Sequence, residues 1–355
     1  MKGQQWGEKM ELHLLMASND GYAPYMGVSL FSMLENNAED FDRIHIYIID
    51  NGISEGNREK LLAQAAAYPH VVTTFHDLGD SFSAFHPKVD NGWDNTIYGR
   101  FFIDQIIEEG VEKALYVDGD TIVNGSLRGL MSTDLGENCM AGVRDALETQ
   151  RIAYLNMGET ARYINSGVLL IDLKNYREFE VRKRIIRFVN TFDKRLDYPD
   201  QDAISAVCGN KIQILPPKYN FGWYLPERRL KWDYYKANFP YSYEELYETV
   251  KDNYADVVIF HYFGVGKPWR RGECAPEFKR VWVSYSKRSI WKLKPRFAGK
   301  AQMLKYYLIT KPKRWLLKQI MHLLGMERYN KICDFYERHW GMNLVKKNSK
   351  GRIAQ

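Results

Sequence analysis

The sequence predicts an α/β fold, with a largely parallel sheet and helices on both sides. Three observations predict it. Short apolar runs alternate with amphipathic stretches from Leu12 to Asp118. Two of those runs end in Asp or Asp-Asn-Gly, which are turn formers. Hydrophobic residues make up 45% of the 355, enough for a sizeable core.

In chain order, Leu12 to Ala17 reads as the first strand. Tyr25 to Leu34 follows as a helix, with Met26, Leu30, Met33 and Leu34 at helical spacing. Ile44 to Ile49 is rich in β-branched residues and stops at the turn Asp50-Asn51-Gly52. Ser54 is placed to cap the next helix, with Leu61, Leu62 and Ala65 on its buried face. Val71 to Phe75 reads as a strand, Tyr98 to Glu108 as a helix, and Ala114 to Val117 as a buried strand running into Asp118. Beyond Asp120, Val168 to Ile171 and Val257 to Phe260 read as buried strands, and Glu178 to Phe192 as one amphipathic helix. No repeat or low-complexity linker interrupts this part, so residues 10–285 are read as one domain.

Residues 286–355 differ in kind. From Lys287 onward there are 18 Lys and Arg against three acids, a balance of +15, while the rest of the chain carries −9. An acidic body argues against nucleic-acid binding. In Pro312 to Leu324, the residues Leu316, Leu317, Ile320, Met321 and Leu324 share one helical face, and Arg314, Lys318 and His322 recur on another. That pattern predicts a helix lying on an anionic membrane surface, with packing on its own domain or a twin subunit as the alternative. The N-terminus lacks a long apolar run, and no stretch reaches the roughly 18 apolar residues of a spanning helix. The four cysteines, Cys139, Cys208, Cys274 and Cys333, are too scattered for a zinc or redox motif. A cytoplasmic protein, peripheral on the inner face of the plasma membrane, is expected.

Two motifs carry chemistry. In LYVDGDTIV, Leu115 to Val123, a buried strand ends in Asp-Gly-Asp. This places Asp118 and Asp120 at the carboxyl edge of the sheet, where open α/β sheets bind ligands. Two acids this close repel unless a cation sits between them, and a hard divalent ion that also grips a diphosphate fits. In FHYFGVGKPW, Phe260 to Trp269, His261 closes an apolar strand and is a candidate third ligand, shifting the preference from Mg²⁺ toward Mn²⁺. Gly264 and Gly266 would let backbone approach phosphate, and Lys267 would neutralise it.

Together these motifs resemble glycosyltransferase family 8, in order along most of residues 11–275. MASNDGYAPY (16–25) is similar to the family's first nucleotide-binding loop, and DNGISEGNREKL (50–61) follows the second strand as in bacterial members. TIYGRFFI (96–103), YINSGVLLIDL (163–173) and YPDQDAI (198–204) match further family segments. The resemblance implies a GT-A type, Rossmann-like mixed sheet as a catalytic domain over 10–285, with a basic helical tail. It implies that Asp118, Asp120 and His261 ligate Mn²⁺, with Mg²⁺ as the alternative. It places uridine against Ala17, Asn19 and Tyr22, and the diphosphate against Gly264 and Lys267, with Gly119 also in the donor-binding set. Arg100, Asn165, Asp200 and Gln201 would form the catalytic set: Arg100 would contact the donor and help hold the acidic cluster, and Asn165, Ser166, Asp200 and Gln201 would touch the sugar hydroxyls. Bacterial relatives usually carry Asp where Asn19 stands, and an amide still offers uracil a donor and an acceptor.

The implied reaction is retaining transfer of a hexose from UDP-glucose or UDP-galactose to a saccharide or glycolipid acceptor in cell-surface glycan synthesis. Because Gln201 is a poor nucleophile, front-face attack is expected, with Asp200 and Gln201 positioning the sugar. The segments Phe82 to Asn95 and Tyr219 to Tyr235 are expected to border the acceptor. Two other readings are a sugar nucleotidyltransferase and an inactive nucleotide-sugar-binding protein. SNDGYAPY lacks the basic Gly-rich loop the first would need, and the intact Asp118, Asp120 and His261 set speaks against the second. Self-glucosylation is a third reading, which a membrane-binding tail does not support.

Overall fold

The structure, a computed structural model, describes residues 10–88, 95–145, 147–222, 254–264, 267–270 and 276–294. The chain divides into two compact units, and all of these residues belong to the one made of Met1–Leu225 and Phe239–Pro295. The segment Pro312 to Leu324, Gly266, Cys274 and Cys333 lie outside the described residues, as do most of Tyr219 to Tyr235 and Val89 to Asp94.

The chain opens in strict alternation with β1 (Glu11–Asn19), α1 (Ala23–Asn37), β2 (Arg43–Asn51), α2 (Glu55–Ala65) and β3 (Val71–His76). A 3-10 stretch, Asn95–Phe102, and α3 (Ile103–Ile106) lead into β4 (Lys113–Val117). Then come β5 (Thr121–Val123), α4 (Arg128–Met131), β6 (Met140–Gly142), α5 (Glu148–Tyr154) and β7 (Val168–Asp172). The elements α6 (Leu173–Glu178), α7 (Val181–Thr191), α8 (Pro199–Cys208) and β8 (Ile212–Ile214) follow, and β9 (Phe221–Gly222), β10 (Ile259–His261) and α9 (Pro276–Arg288) come last.

Seven strands form one sheet in the order β3-β2-β1-β4-β7-β6-β8. The first four are parallel, and β7 runs antiparallel to both β4 and β6. The expected mixed sheet is therefore present, parallel where strands alternate with helices. A second sheet, β5-β10-β9, stands at the carboxyl edge of β4. Side chains of β1 alternate between two cores. Leu12, Leu14 and Met16 join α1 and α2 on one face, and Leu15 joins Phe101, Tyr176 and Ile185 on the other.

Local differences from expectation have identifiable causes. Tyr98 to Ile103 are buried without a break, and the segment expected as one helix is a 3-10 stretch followed by only one α-helical turn. Glu178 to Phe192 is two helices, because Glu180 adopts a left-handed φ of 52° between α6 and α7. The apolar period survives in α7, where Val181, Ile185 and Val189 are buried. Leu62 is 43% exposed, unlike Leu61 and Ala65. Ser54 precedes α2 but its side chain makes no capping bond. Instead its backbone N–H donates to Asp20 Oδ1 at 2.8 Å. The strand expected at Val257 to Phe260 begins at Ile259 and closes on His261. The turn at Asp50-Asn51-Gly52 forms as expected, with Gly52 at φ +80° and Asp50 Oδ1 accepting from Ile53 N at 2.7 Å.

Candidate active site

β4 is buried from Ala114 to Val117 and delivers Asp118 to the sheet edge. Gly119 turns the chain against α1, where a Cβ would stand 3.0 Å from Met26 Cβ. Asp120 then leads into β5. The antiparallel pairing of β10 with β5 sets His261 opposite Thr121, one residue from Asp120. His261 Nε2 lies 3.6 Å from Asp118 Oδ2 and 3.2 Å from Asp120 Oδ1. One ligand atom from each of the three residues lies within 4.8 Å of the others.

The tautomer of His261 follows from its partners. The N–H of Gly167 can only donate, and it faces Asn165 Oδ1 at 3.1 Å. Asn220 must then present Nδ2 to that same oxygen, at 2.9 Å. Its Oδ1 therefore faces His261 Nδ1, at 2.8 Å, and the imidazole donates from Nδ1. Nε2 is buried, makes no hydrogen bond and is aimed between two carboxylates, to which an unprotonated ring offers only a lone pair. A buried acceptor beside two anions is unfavourable alone and fits a divalent cation. The donor set, two carboxylates and one imidazole, suits Mn²⁺ or Mg²⁺.

Two cations of the chain already hold this cluster together. Arg100 is 5% exposed and bridges Asp118 Oδ1 at 3.0 Å and Asp200 Oδ2 at 2.9 Å. It also donates to Ser166 O at 2.6 Å and lies 4.5 Å from the Tyr116 ring. Lys267 pairs with Asp120 Oδ2. Burial works against charge at both acids. At Asp118 burial prevails over Arg100 and raises the carboxyl. At Asp120, the Lys267 ammonium overcomes burial and holds it far below the usual carboxylate range. Burial, reinforced by Asp120, pushes the Tyr22 hydroxyl up to about 12.

The remaining sequence-nominated residues gather at the same edge. Ala17 and Asn19 close β1, and Asn19 Oδ1 accepts from Tyr22 N at 3.0 Å, shaping the first loop. Lys267 stands 5.9 Å from the Tyr22 ring and 5.8 Å from Trp269, which stacks on Tyr25 at 4.0 Å. Gly264 takes a left-handed φ of +69°. Asp200 Oδ2 accepts from Ser166 Oγ at 2.7 Å as well as pairing with Arg100. Gln201 Oε1 accepts from Asn165 Nδ2 at 3.1 Å and from Ser166 N at 3.3 Å.

Four contributors escaped the sequence reading. Asn220 orients His261 from 41 residues away and has no local signature. Asp145 accepts from Asn165 Nδ2 at 3.3 Å, and its burial raises its carboxyl. Arg151 clamps Asp202 through Nε at 3.0 Å and Nη2 at 2.6 Å, fixing the helix that carries Asp200 and Gln201. Gly167 is the fourth: a Cβ there would lie 2.0 Å from His261 Cε1 and 2.8 Å from Asp118 Oδ2. Its place between Asn165-Ser166 and the apolar run at Val168 was the signal available.

The mixed sheet with an acidic cluster at its carboxyl edge is a GT-A glycosyltransferase fold. The galactosyltransferase LgtC superposes with a TM-score of 0.64 at 25% identity, over 79% of this chain and 96% of that one. The bifunctional glycosyltransferase WbbM shares the fold at TM-score 0.64 and 19% identity, over 82% of this chain and 52% of that one. The profile of glycosyl transferase family 8 matches residues 13–273, and the chain belongs to that family. A Haemophilus influenzae protein named as a glycosyltransferase is 30% identical over 213 residues, which are 59% of this chain and 63% of that protein. General stress protein A of Bacillus subtilis is 25% identical over 79% of this chain and 94% of its own length. A lipopolysaccharide 1,2-glucosyltransferase of Escherichia coli K12 is 23% identical over 79% of each chain. Among the described residues, no helix is long and apolar enough to cross a membrane.

Proposed function

We propose that this glycosyltransferase is a retaining hexosyltransferase that moves glucose or galactose from a UDP-sugar to a saccharide or glycolipid acceptor in cell-surface glycan synthesis. The observation that carries the reading is the buried His261 Nε2, without a hydrogen bond between Asp118 and Asp120, with Lys267 and Arg100 at the flanks. In this reading Asp118, Asp120 and His261 hold Mn²⁺, with Mg²⁺ as the substitute. The bound ion supplies Lewis-acid stabilisation of the negative charge that develops on the departing diphosphate. Lys267, with the backbone at Gly119 and Gly264, adds to that stabilisation from the protein itself.

Uridine lies against Ala17, Asn19 and Tyr22. Asn165, Ser166, Asp200 and Gln201 hold the sugar hydroxyls. Asp200 Oδ2 is already bound by Arg100 and Ser166, and the Gln201 carbonyl already accepts two N–H groups. Both are thereby oriented and blunted as nucleophiles. That supports front-face attack: the acceptor hydroxyl bonds to the anomeric carbon as the bond to UDP breaks, and the leaving phosphate oxygen takes the hydroxyl proton. Arg100 holds the Asp118 and Asp200 carboxylates in place for this geometry.

The acceptor class is supported by the names of relatives. One is the E. coli glucosyltransferase above, and another is a lipopolysaccharide 1,3-galactosyltransferase of Salmonella typhimurium, 24% identical over 68% of each chain. Residues 10–285 form the catalytic domain in this reading. The basic region 286–355 holds the enzyme at the cytoplasmic face of the plasma membrane, as its +15 balance suggests. A panel of UDP-sugars with and without Mn²⁺, followed by UDP release, tests the activity. UDP-glucose or UDP-galactose should turn over only with the ion, and folded protein that turns over neither refutes the reading. A glycosyl adduct trapped on Asp200 would refute front-face attack. Equal sedimentation with anionic vesicles by the full chain and one ending at Pro295 would refute the membrane role.

A further inference from the structure

The opposite edge of the main sheet carries a second cluster that the sugar-transfer site does not use. Parallel pairing of β1 with β2 sets His13 beside His45. Their rings stack at 4.7 Å, tilted by 3°. Glu11 lies on the same strand face as His13, two residues earlier. Its Oε2 stands 3.7 Å from His13 Nε2 and 3.5 Å from His45 Nε2. One ligand atom from each of the three lies within 4.8 Å of the others. Glu11 is exposed, His45 half-buried, and His13 buried at 8% exposure, so the group opens outward through Glu11.

A relay orients the buried imidazole. The Tyr47 hydroxyl donates its one proton to Glu108 Oε2 at 2.9 Å. It can then only accept from His13 Nδ1, at 3.0 Å. That leaves the His13 Nε2 lone pair facing Glu11 and His45. Hydrogen-bonding the far nitrogen of an imidazole through a carboxylate-anchored group is how proteins orient metal-binding histidines.

We propose that Glu11, His13 and His45 bind a borderline divalent transition-metal ion, Zn²⁺ first, at a site separate from Asp118, Asp120 and His261. Two imidazole nitrogens and one carboxylate oxygen are a zinc donor set, leaving a fourth position for water. The cluster at the sugar-transfer edge is richer in oxygen and suits harder ions. With Zn–N bonds of about 2.0–2.1 Å the Glu11 carboxylate needs to close by only a few tenths of an ångström, but the His45 ring must turn out of its stack on His13 so that both lone pairs meet one ion. The exposed Glu11 and half-buried His45 have room for that, while the Tyr47 relay holds His13 still. The six steps along the strand from His13 to Asn19 span about 20 Å, so this ion takes no part in sugar transfer. It would staple β1 to β2 at their N-terminal ends.

Calorimetric titration of ZnCl₂ into the full chain carrying Asp118→Asn and Asp120→Asn tests this, since those changes remove the carboxylates of the other site. One equivalent should bind tightly and raise the melting temperature. His45→Gln in that background should abolish the event, and Glu11→Gln should weaken it. Tyr47→Phe, which removes only the relay, should weaken it about 10-fold. A fold check by circular dichroism accompanies each variant. Folded parent protein that binds no Zn²⁺ overturns the proposal. So does Zn²⁺ binding that is equally strong with His45→Gln and Glu11→Gln.

Discussion

Gly167→Ala changes one hydrogen into a methyl group and should disable the site. The added Cβ would sit 2.0 Å from His261 Cε1, 2.7 Å from its Nδ1 and 2.8 Å from Asp118 Oδ2. Carbon atoms in good contact are about 3.5 Å apart or more, so the ring must retreat by roughly 1.5 Å. It has little room: His261 is 1% exposed, is bonded to Asn220 and meets the Phe263 ring at 4.9 Å. A misplacement of about 1 Å in a catalytic site costs on the order of 100-fold in rate, or ~2.7 kcal/mol of barrier. Gly167 is not at a left-handed φ, so backbone strain does not confound the result. Overpacking should also lower stability, by about 1–3 kcal/mol, so UDP release is measured well below the melting temperature. The expected result is a fall in kcat/KM near 100-fold with a raised Mn²⁺ requirement. A variant within threefold of wild type, with unchanged Mn²⁺ dependence, would refute the argument that Gly167 makes room for the histidine.

Two further predictions rest on the same network. Asn220→Ala removes the acceptor that fixes the His261 tautomer and should weaken Mn²⁺ binding by about 10–100-fold, with activity recovered at high Mn²⁺. Unchanged Mn²⁺ titration would contradict the relay from Gly167 through Asn165 and Asn220. Asp145→Asn tests the cost of a buried carboxylate. Burial raises the Asp145 carboxyl above its unfolded value, so its contribution is most favourable below about pH 3.9 and is lost as pH rises through the folded value. The variant should therefore melt higher than wild type at pH 7, with the gap closing on acidification. A gap that is constant with pH, or that widens on acidification, would count against it.

The strongly periodic parts of the fold were legible because each carries its own local signal. β1, β2 and β4 are apolar runs whose burial depends only on the sheet having two covered faces, while β3, at the sheet edge, showed itself through β-branched residues. α1 shows its face through Met26, Leu30, Met33 and Leu34. The breaks were not legible. The left-handed Glu180 divides a segment whose apolar period continues straight through it, and the 3-10 winding around Tyr98 leaves no mark in the apolar pattern.

At the site the division follows the same physics. By itself the sequence determined that Asp118 and Asp120 end a buried strand and that His261 ends another, because strand and turn chemistry are local. It could not determine that β10 would pair with β5 and bring that histidine within 3.2 Å of Asp120. Nor could it show that Asn220 sets the imidazole's tautomer, that Gly167 leaves it room, or that Arg100 ties Asp118 to Asp200. Those are contacts between residues far apart in the chain, and only the pairing of strands and the packing of side chains decides which distant groups meet.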